Sequence, residues 1–197
     1  MAGGCACAHA MQKENNNNTF WLGGLYWPYR VTVREQPFRA KVSSGFEGMA
    51  ITPDGTTAIA TEGNEYGQLF FFDMETMTQS GDTLYLGDEN RGVKIRSDGT
   101  KAYVLDEGSM YSVSLPSRVN DGILCFQPAG TDEIGAFDLT PDDTKAVFIN
   151  ADDMVALIDI STCSVLDSID MNASAHLGAA DITVSPDGTT AIVTNFE

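Results

Sequence analysis

A short phrase returns at a nearly constant interval along this chain, and that interval limits what the chain can build. The cleanest copy is Ser185-Pro186-Asp187-Gly188-Thr189-Thr190-Ala191-Ile192-Val193-Thr194-Asn195. Earlier copies begin Thr52-Pro53-Asp54-Gly55, Arg96-Ser97-Asp98-Gly99 and Thr140-Pro141-Asp142-Asp143. Their aspartates, Asp54, Asp98, Asp142 and Asp187, lie 44, 44 and 45 residues apart. Proline sets φ at the first corner of a turn, aspartate accepts from the backbone just ahead, and glycine takes the positive φ that a side chain resists. Apolar or alternating runs flank each copy, so the phrase is the hairpin between two strands. Asp143 stands where the other copies have glycine, and some backbone strain is expected there. A fixed period of this length, filled with strands and no helical pattern, predicts an all-β fold: a β-propeller of four-stranded antiparallel blades.

Strands can be placed by register. The first whole repeat offers Met49 to Thr52, Thr57 to Thr61, Leu69 to Asp73 and Thr83 to Leu86. The second offers Val93 to Arg96, Ala102 to Leu105, Met110 to Leu115 and Ile123 to Gln127. The third offers Ala136 to Leu139, Ala146 to Asn150, Val155 to Asp159 and Val165 to Ile169. Two further strands, Asp181 to Ser185 and Ala191 to Asn195, begin a blade without finishing it. The expected layout is a disordered tail over residues 1–18 and a propeller over 19–197. Within the propeller the divisions are a partial blade 19–45, blades 46–90, 91–133 and 134–178, and a half blade 179–197. One arrangement lets strands from Tyr29 to Val42 complete the half blade and close a four-bladed ring. The other makes the chain part of a larger ring, or half of a homodimeric one.

Ala180-Asp181-Ile182-Thr183-Val184-Ser185-Pro186-Asp187-Gly188-Thr189-Thr190-Ala191-Ile192-Val193-Thr194-Asn195 resembles the YVTN-type β-propeller repeat. Val155-Ala156-Leu157-Ile158-Asp159-Ile160-Ser161-Thr162 resembles that repeat's third strand and Asp-x-x-Thr turn, and Phe72-Asp73-Met74-Glu75-Thr76 matches it again. The resemblance covers about residues 46 to 197 and implies fold more than function. Propellers of this kind include surface-layer proteins, the heavy subunit of methylamine dehydrogenase, haem-binding domains and lactonases. The departure is blade number, since such relatives usually close about seven blades in one chain. The resemblance favours an extracellular or cell-surface location.

Charge narrows the partners. The net charge is −17, and it is uneven: residues 1–43 carry five basic and two acidic groups, leaving six basic and 26 acidic groups in the remainder. Nucleic-acid binding by that remainder is excluded by sign. No run approaches the roughly 20 apolar residues of a membrane-spanning helix. The first ten residues lack the basic and apolar regions of a secretion signal, which predicts either a cytoplasmic protein or a missing natural N-terminus. Cys125 and Cys163 fall at unrelated positions of different repeats, so no repeating disulfide is expected.

Loops joining strands two and three of a blade share one end of a propeller with the loops joining blade to blade. The former carry Glu62, Glu65, Asp106, Glu107, Asp152 and Asp153; the latter carry Glu47, Asp88, Glu89, Asp132, Glu133 and Asp181. Together they predict an acidic ring at the channel mouth, of a kind that suits Ca²⁺ or another hard cation, a small ligand or a basic protein partner. The plainer reading is a set of solvated loops, because no loop has EF-hand spacing. Cys5, Cys7 and His9 alternate as three soft ligands without a fourth. His176 has no nucleophile motif beside it, so a catalytic triad has no support. Trp21, Tyr26, Trp27 and Tyr29 are read as packing on a blade edge, with sugar stacking the alternative. Arg30, Arg34 and Arg39 on the same segment are expected to face acidic groups of a neighbouring blade. The functional expectation is a recognition or scaffold module without catalysis of its own. The alternatives are an enzyme domain of the lactonase or quinoprotein-dehydrogenase type and a structural surface-layer or adhesion module.

Overall fold

The computed structural model describes residues 12–14, 19–21, 45–63, 66–106, 108–126, 134–150, 154–171 and 178–196. The chain divides into two units, residues 1–37 and 38–197. In the first, β1 (Gln12–Glu14) pairs antiparallel with β2 (Thr19–Trp21). Residues 12–14 were expected to belong to a disordered tail; the β-forming run Thr19-Phe20-Trp21 supplies them with a partner strand.

In the second unit the repeat becomes a succession of antiparallel sheets. The first blade contains β3 (Phe46–Ile51), β4 (Thr57–Glu62), β5 (Gln68–Asp73), β6 (Thr78–Gln79) and β7 (Leu84–Tyr85). Its outer edge was expected as one strand, Thr83 to Leu86. Instead β6 and β7 pair separately with β5, because Gly81 turns the chain between them at φ 78°. The second blade orders β8 (Gly92–Ile95), β9 (Lys101–Leu105), β10 (Ser109–Ser114) and β11 (Val119–Phe126). The third orders β12 (Ile134–Leu139), β13 (Lys145–Asn150), β14 (Met154–Asp159) and β15 (Ser164–Asp170). β16 (Gly178–Val184) and β17 (Ala191–Phe196) form a two-stranded sheet. The segment Tyr29 to Val42, expected as a candidate for completing that half blade, lies outside the described residues.

The core lies between blades, because middle strands bury both faces. Ile59, Leu69 and Phe71 of the first blade pack with Val93, Ala102, Val104 and Val113 of the second. Tyr103, Leu105 and Met110 of the second pack with Phe137, Phe148, Ala156 and Ile158 of the third, where the Phe137 and Phe148 rings stack at 5.5 Å. First strands approach most closely: a β-carbon on Gly48 would lie 2.9 Å from Gly92 Cα.

Side chains fasten each joint. Cys125 of β11 and Cys163, in the turn after β14, form a disulfide with Cα atoms 5.5 Å apart, joining the second and third blades. The sequence reading expected no disulfide repeated from blade to blade and did not foresee this single one; blade stacking brings a fourth strand of one repeat against a third-to-fourth turn of the next. The corresponding turn residue one blade earlier, Arg118, donates to Ser80 O and Ser80 Oγ of the first blade and lies 4.8 Å from the Phe71 ring centroid. Met77, Arg118 and Cys163 share positive φ values of 59°, 52° and 56°, which marks them as one repeat position.

Candidate functional site

The end of the fold that carries the predicted acidic loops is best described at the joint between the first two blades. Here Gly63, which follows β4, bridges to Glu89 in the blade-to-blade loop, so the two loop types do share an end. Glu62, the last residue of β4, is fully buried. Glu47 folds over Gly63, where an added β-carbon would meet Glu47 Cγ at 2.5 Å. Gly87, at φ 55°, leaves room for the Asp106 carboxylate and the Tyr111 ring. Tyr111 therefore sits where acidic groups gather, and its phenol is pushed above the ordinary tyrosine range by burial first, then by the charges of Asp106 and Asp88. Glu89 forms an ion pair of 3.5 Å with Arg91.

Asp106 has a structural task at this place. Its Oδ1 accepts from Gly108 N at 3.1 Å and Ser109 N at 2.6 Å, closing the loop that returns the chain into β10. Asn150 does the same one blade later, accepting from Met154 N at 2.9 Å. Glu62, Asp106, Asn150 and Asn195 occupy one position of the repeat, eight residues beyond the turn aspartates. At Asp106 and Asn150 that position caps the loop after strand two, whereas the sequence reading weighed its acidic members as site candidates or solvated loop residues. Glu65, Glu107, Asp152 and Asp153, with Asp132 and Glu133, lie outside the described residues. So do Cys5, Cys7, His9 and His176, and the side chains of the Trp21, Tyr26, Trp27 and Tyr29 cluster. Among the described residues no three His, Cys, Asp or Glu side chains gather as a metal-binding group.

One residue here had no signal in the sequence. Asn90, beside Glu89, is fully buried, and neither its Oδ1 nor its Nδ2 has a hydrogen-bond partner among the described residues. A buried amide in that state costs free energy, roughly 1–3 kcal/mol per unsatisfied group.

The opposite end is built from the repeated turns. Thr52 Oγ1 donates to Asp54 Oδ1 at 2.6 Å, Thr56 N donates to the same oxygen at 3.0 Å, and Thr57 N donates to Thr52 Oγ1 at 3.0 Å. The same set recurs around Asp142 and Asp187. These bonds favour the charged carboxylate and lower Asp142 and Asp187 to about 2, with the Thr140 and Ser185 hydroxyls the leading causes.

Comparison with solved structures supports the propeller fold. Hydrazine synthase from Kuenenia stuttgartiensis aligns at 21% identity and TM-score 0.66, over 76% of this chain and 43% of its own. The Cps50 (Swd1) β-propeller domain of Myceliophteria thermophila aligns at 13% identity and TM-score 0.61, over 76% and 48%. The WD40 repeats of RRP9 align at 11% identity and TM-score 0.60, over 75% and 44%. The chain thus spans less than half the length of each. No protein-family model matches the sequence, and no curated protein does.

Proposed function

We propose that this chain is a non-catalytic recognition or scaffold module whose acidic loop end receives a basic segment of a protein partner. The observation that carries the reading is the packed acidic joint. Glu47, Glu62, Asp88, Glu89 and Asp106 are strung along the joint beside Gly63 and Gly87, and the charges of Asp106 and Asp88 are felt at the Tyr111 phenol. Negative potential held on a rigid edge steers and selects a positively charged partner. Asp106 is held by backbone amides, which suits a fixed charge better than a group that must exchange protons. A basic segment is preferred to Ca²⁺ because the described carboxylates are spread along the joint rather than gathered as a ligand set.

The Cys125–Cys163 bond favours an oxidising compartment, in keeping with the extracellular setting implied by the YVTN-like repeat. WD40 neighbours favour the scaffold reading, whereas hydrazine synthase keeps an enzymatic role as the second reading. Calorimetric titration with a lysine-rich peptide should give saturable, salt-sensitive binding. Asp88→Asn combined with Glu89→Gln should abolish it, while a charge reversal at the far end, Asp167→Lys, should leave it intact. Turnover of a lactone panel, or quinone-coupled oxidation of an amine, would overturn the proposal.

A further inference from the structure

Asn90 interrupts an apolar position of the repeat. The residues eight before the four turn aspartates are Phe46, Asn90, Ile134 and Ala179. Phe46 shows the use of that position as an apolar one, its ring edge-on to Phe70 and Phe72 at 5.7 and 6.0 Å. In the other three sheets this residue pairs across the first two strands with the position that follows strand two: Phe46 with Glu62, Ile134 with Asn150 and Ala179 with Asn195. The same register sets Asn90 opposite Asp106, and the 2.7 Å bond from Arg91 N to Leu105 O holds it there. On its other side, the bridge between Gly63 and Glu89 brings up the end of β4 with Glu62. Asn90 thus lies in the joint between two carboxylates that are themselves at least nine-tenths buried. Its own Oδ1 and Nδ2 are closed off from solvent and have no hydrogen-bond partner among the described residues.

We infer that Asn90 Oδ1, with the carboxylates of Glu62 and Asp106, binds one Ca²⁺ ion inside this joint. A buried amide oxygen without a donor is costly, and a small cation taken up beside it removes that cost. The surroundings select a cation. Asp106 gives its Oδ1 to the loop amides and turns its Oδ2 toward Gly87. The carbonyl oxygens of Leu86, Gly87 and Asp88 crowd toward Gly67, at 2.0, 2.8 and 2.6 Å from the point a β-carbon there would occupy, and their dipoles add negative potential. Every donor is a hard oxygen, which suits Ca²⁺ and disfavours thiophilic metals. With two acids and one amide in the set, the dissociation constant belongs near the weak end of Ca²⁺ sites, about 10⁻⁴ to 10⁻³ M, the range of extracellular modules. That agrees with the oxidising compartment favoured by the Cys125–Cys163 bond. The surface offered above to a basic partner is a different one: Asp88 and Glu89 are exposed, whereas Glu62, Asn90 and Asp106 lie beneath them, so either reading stands without the other.

The test uses the full chain. Ca²⁺ at about 10 mM should raise the melting temperature saturably, by about 3 °C over NaCl of equal ionic strength. Mg²⁺ should do much less, because it dehydrates reluctantly and demands a regular octahedron. Tb³⁺ should enter the same place and luminesce when tyrosine is excited, since the Tyr111 ring and Asp106 meet at Gly87; Ca²⁺ should displace that signal. Asn90→Ile gives the second blade the residue type of the third. It should melt no lower than the parent without Ca²⁺, and it should lose both the Ca²⁺ shift and the displaceable Tb³⁺ signal. Asp88→Asn with Glu89→Gln should keep both, and Asn90→Ile should keep binding of the lysine-rich peptide, which separates the ion site from the partner surface. No Ca²⁺ shift in the parent, or a shift that survives in Asn90→Ile, would overturn the inference. So would a crystal structure grown with Ca²⁺ that shows only water against Asn90 Oδ1.

Discussion

Asp143 shows how one blade adjusts to a departure in its neighbour. In two other turns the repeat glycine rests on the proline of the preceding blade: Gly99 approaches Pro53, and Gly188 approaches Pro141. In the second blade Ser97 replaces that proline, which restores a backbone N–H. Asp143, one blade later, accepts that N–H at 2.9 Å and the Ser97 hydroxyl at 2.6 Å, while holding φ at 57°. The strain expected from a non-glycine residue is therefore offset by two charge-assisted bonds across the joint. Asp143→Ala keeps the unfavourable φ and loses both bonds, so it should cost about 1.5–3 kcal/mol in urea unfolding. Ser97→Pro together with Asp143→Gly restores the contact seen at the other joints. The pair should be clearly more stable than Ser97→Pro alone, with a coupling of about 1 kcal/mol in a double-mutant cycle.

At the scale of the element, the turns are where charge and backbone are tied together. The lowered pKa values of Asp142 and Asp187 mean that the folded chain holds their protons less tightly than the unfolded chain, whose ordinary value is 3.8. Their contribution is complete above about pH 4 and fades as the pH falls toward about 2. Thermal melts between those limits should show a steep loss of stability, and Asp142→Asn with Asp187→Asn should flatten it. The turns were legible in the sequence because Pro, Asp, Gly and Thr act locally, within five residues. The strands were legible to within a few residues because apolar runs kept one register. Joint chemistry was not. Arg118 on Ser80, Asp143 on Ser97 and Cys163 on Cys125 join residues 38, 46 and 38 positions apart, and nothing local announces them. Glu62 and Asp106 were found as acidic loop residues, but the capping role of Asp106 required seeing its carboxylate against the amides of Gly108 and Ser109. Asn90 carries no signal at all, since an asparagine beside a glutamate in a loop ordinarily faces water.

For the molecule as a whole, stability resides in the joints, since each blade supplies the cover for the faces of its neighbours. The Cys125–Cys163 bond closes 38 residues across one joint and should contribute up to about 4 kcal/mol by restricting the unfolded chain. Adding reductant, or making Cys125→Ser with Cys163→Ser, should lower the melting temperature and broaden the transition as the third blade uncouples from the second. An unchanged melt under full reduction would show that the joint is held by Phe137, Phe148 and Ile158 without help. The direction of the fasteners also bears on how such a chain is made. Arg118, Asp143 and Cys163 each reach back to a blade that precedes them in the sequence. As the polypeptide leaves the ribosome, every new blade arrives carrying the latch for a blade already finished. Assembly can thus proceed in the order of synthesis, and a pause in translation leaves the completed blades locked to one another.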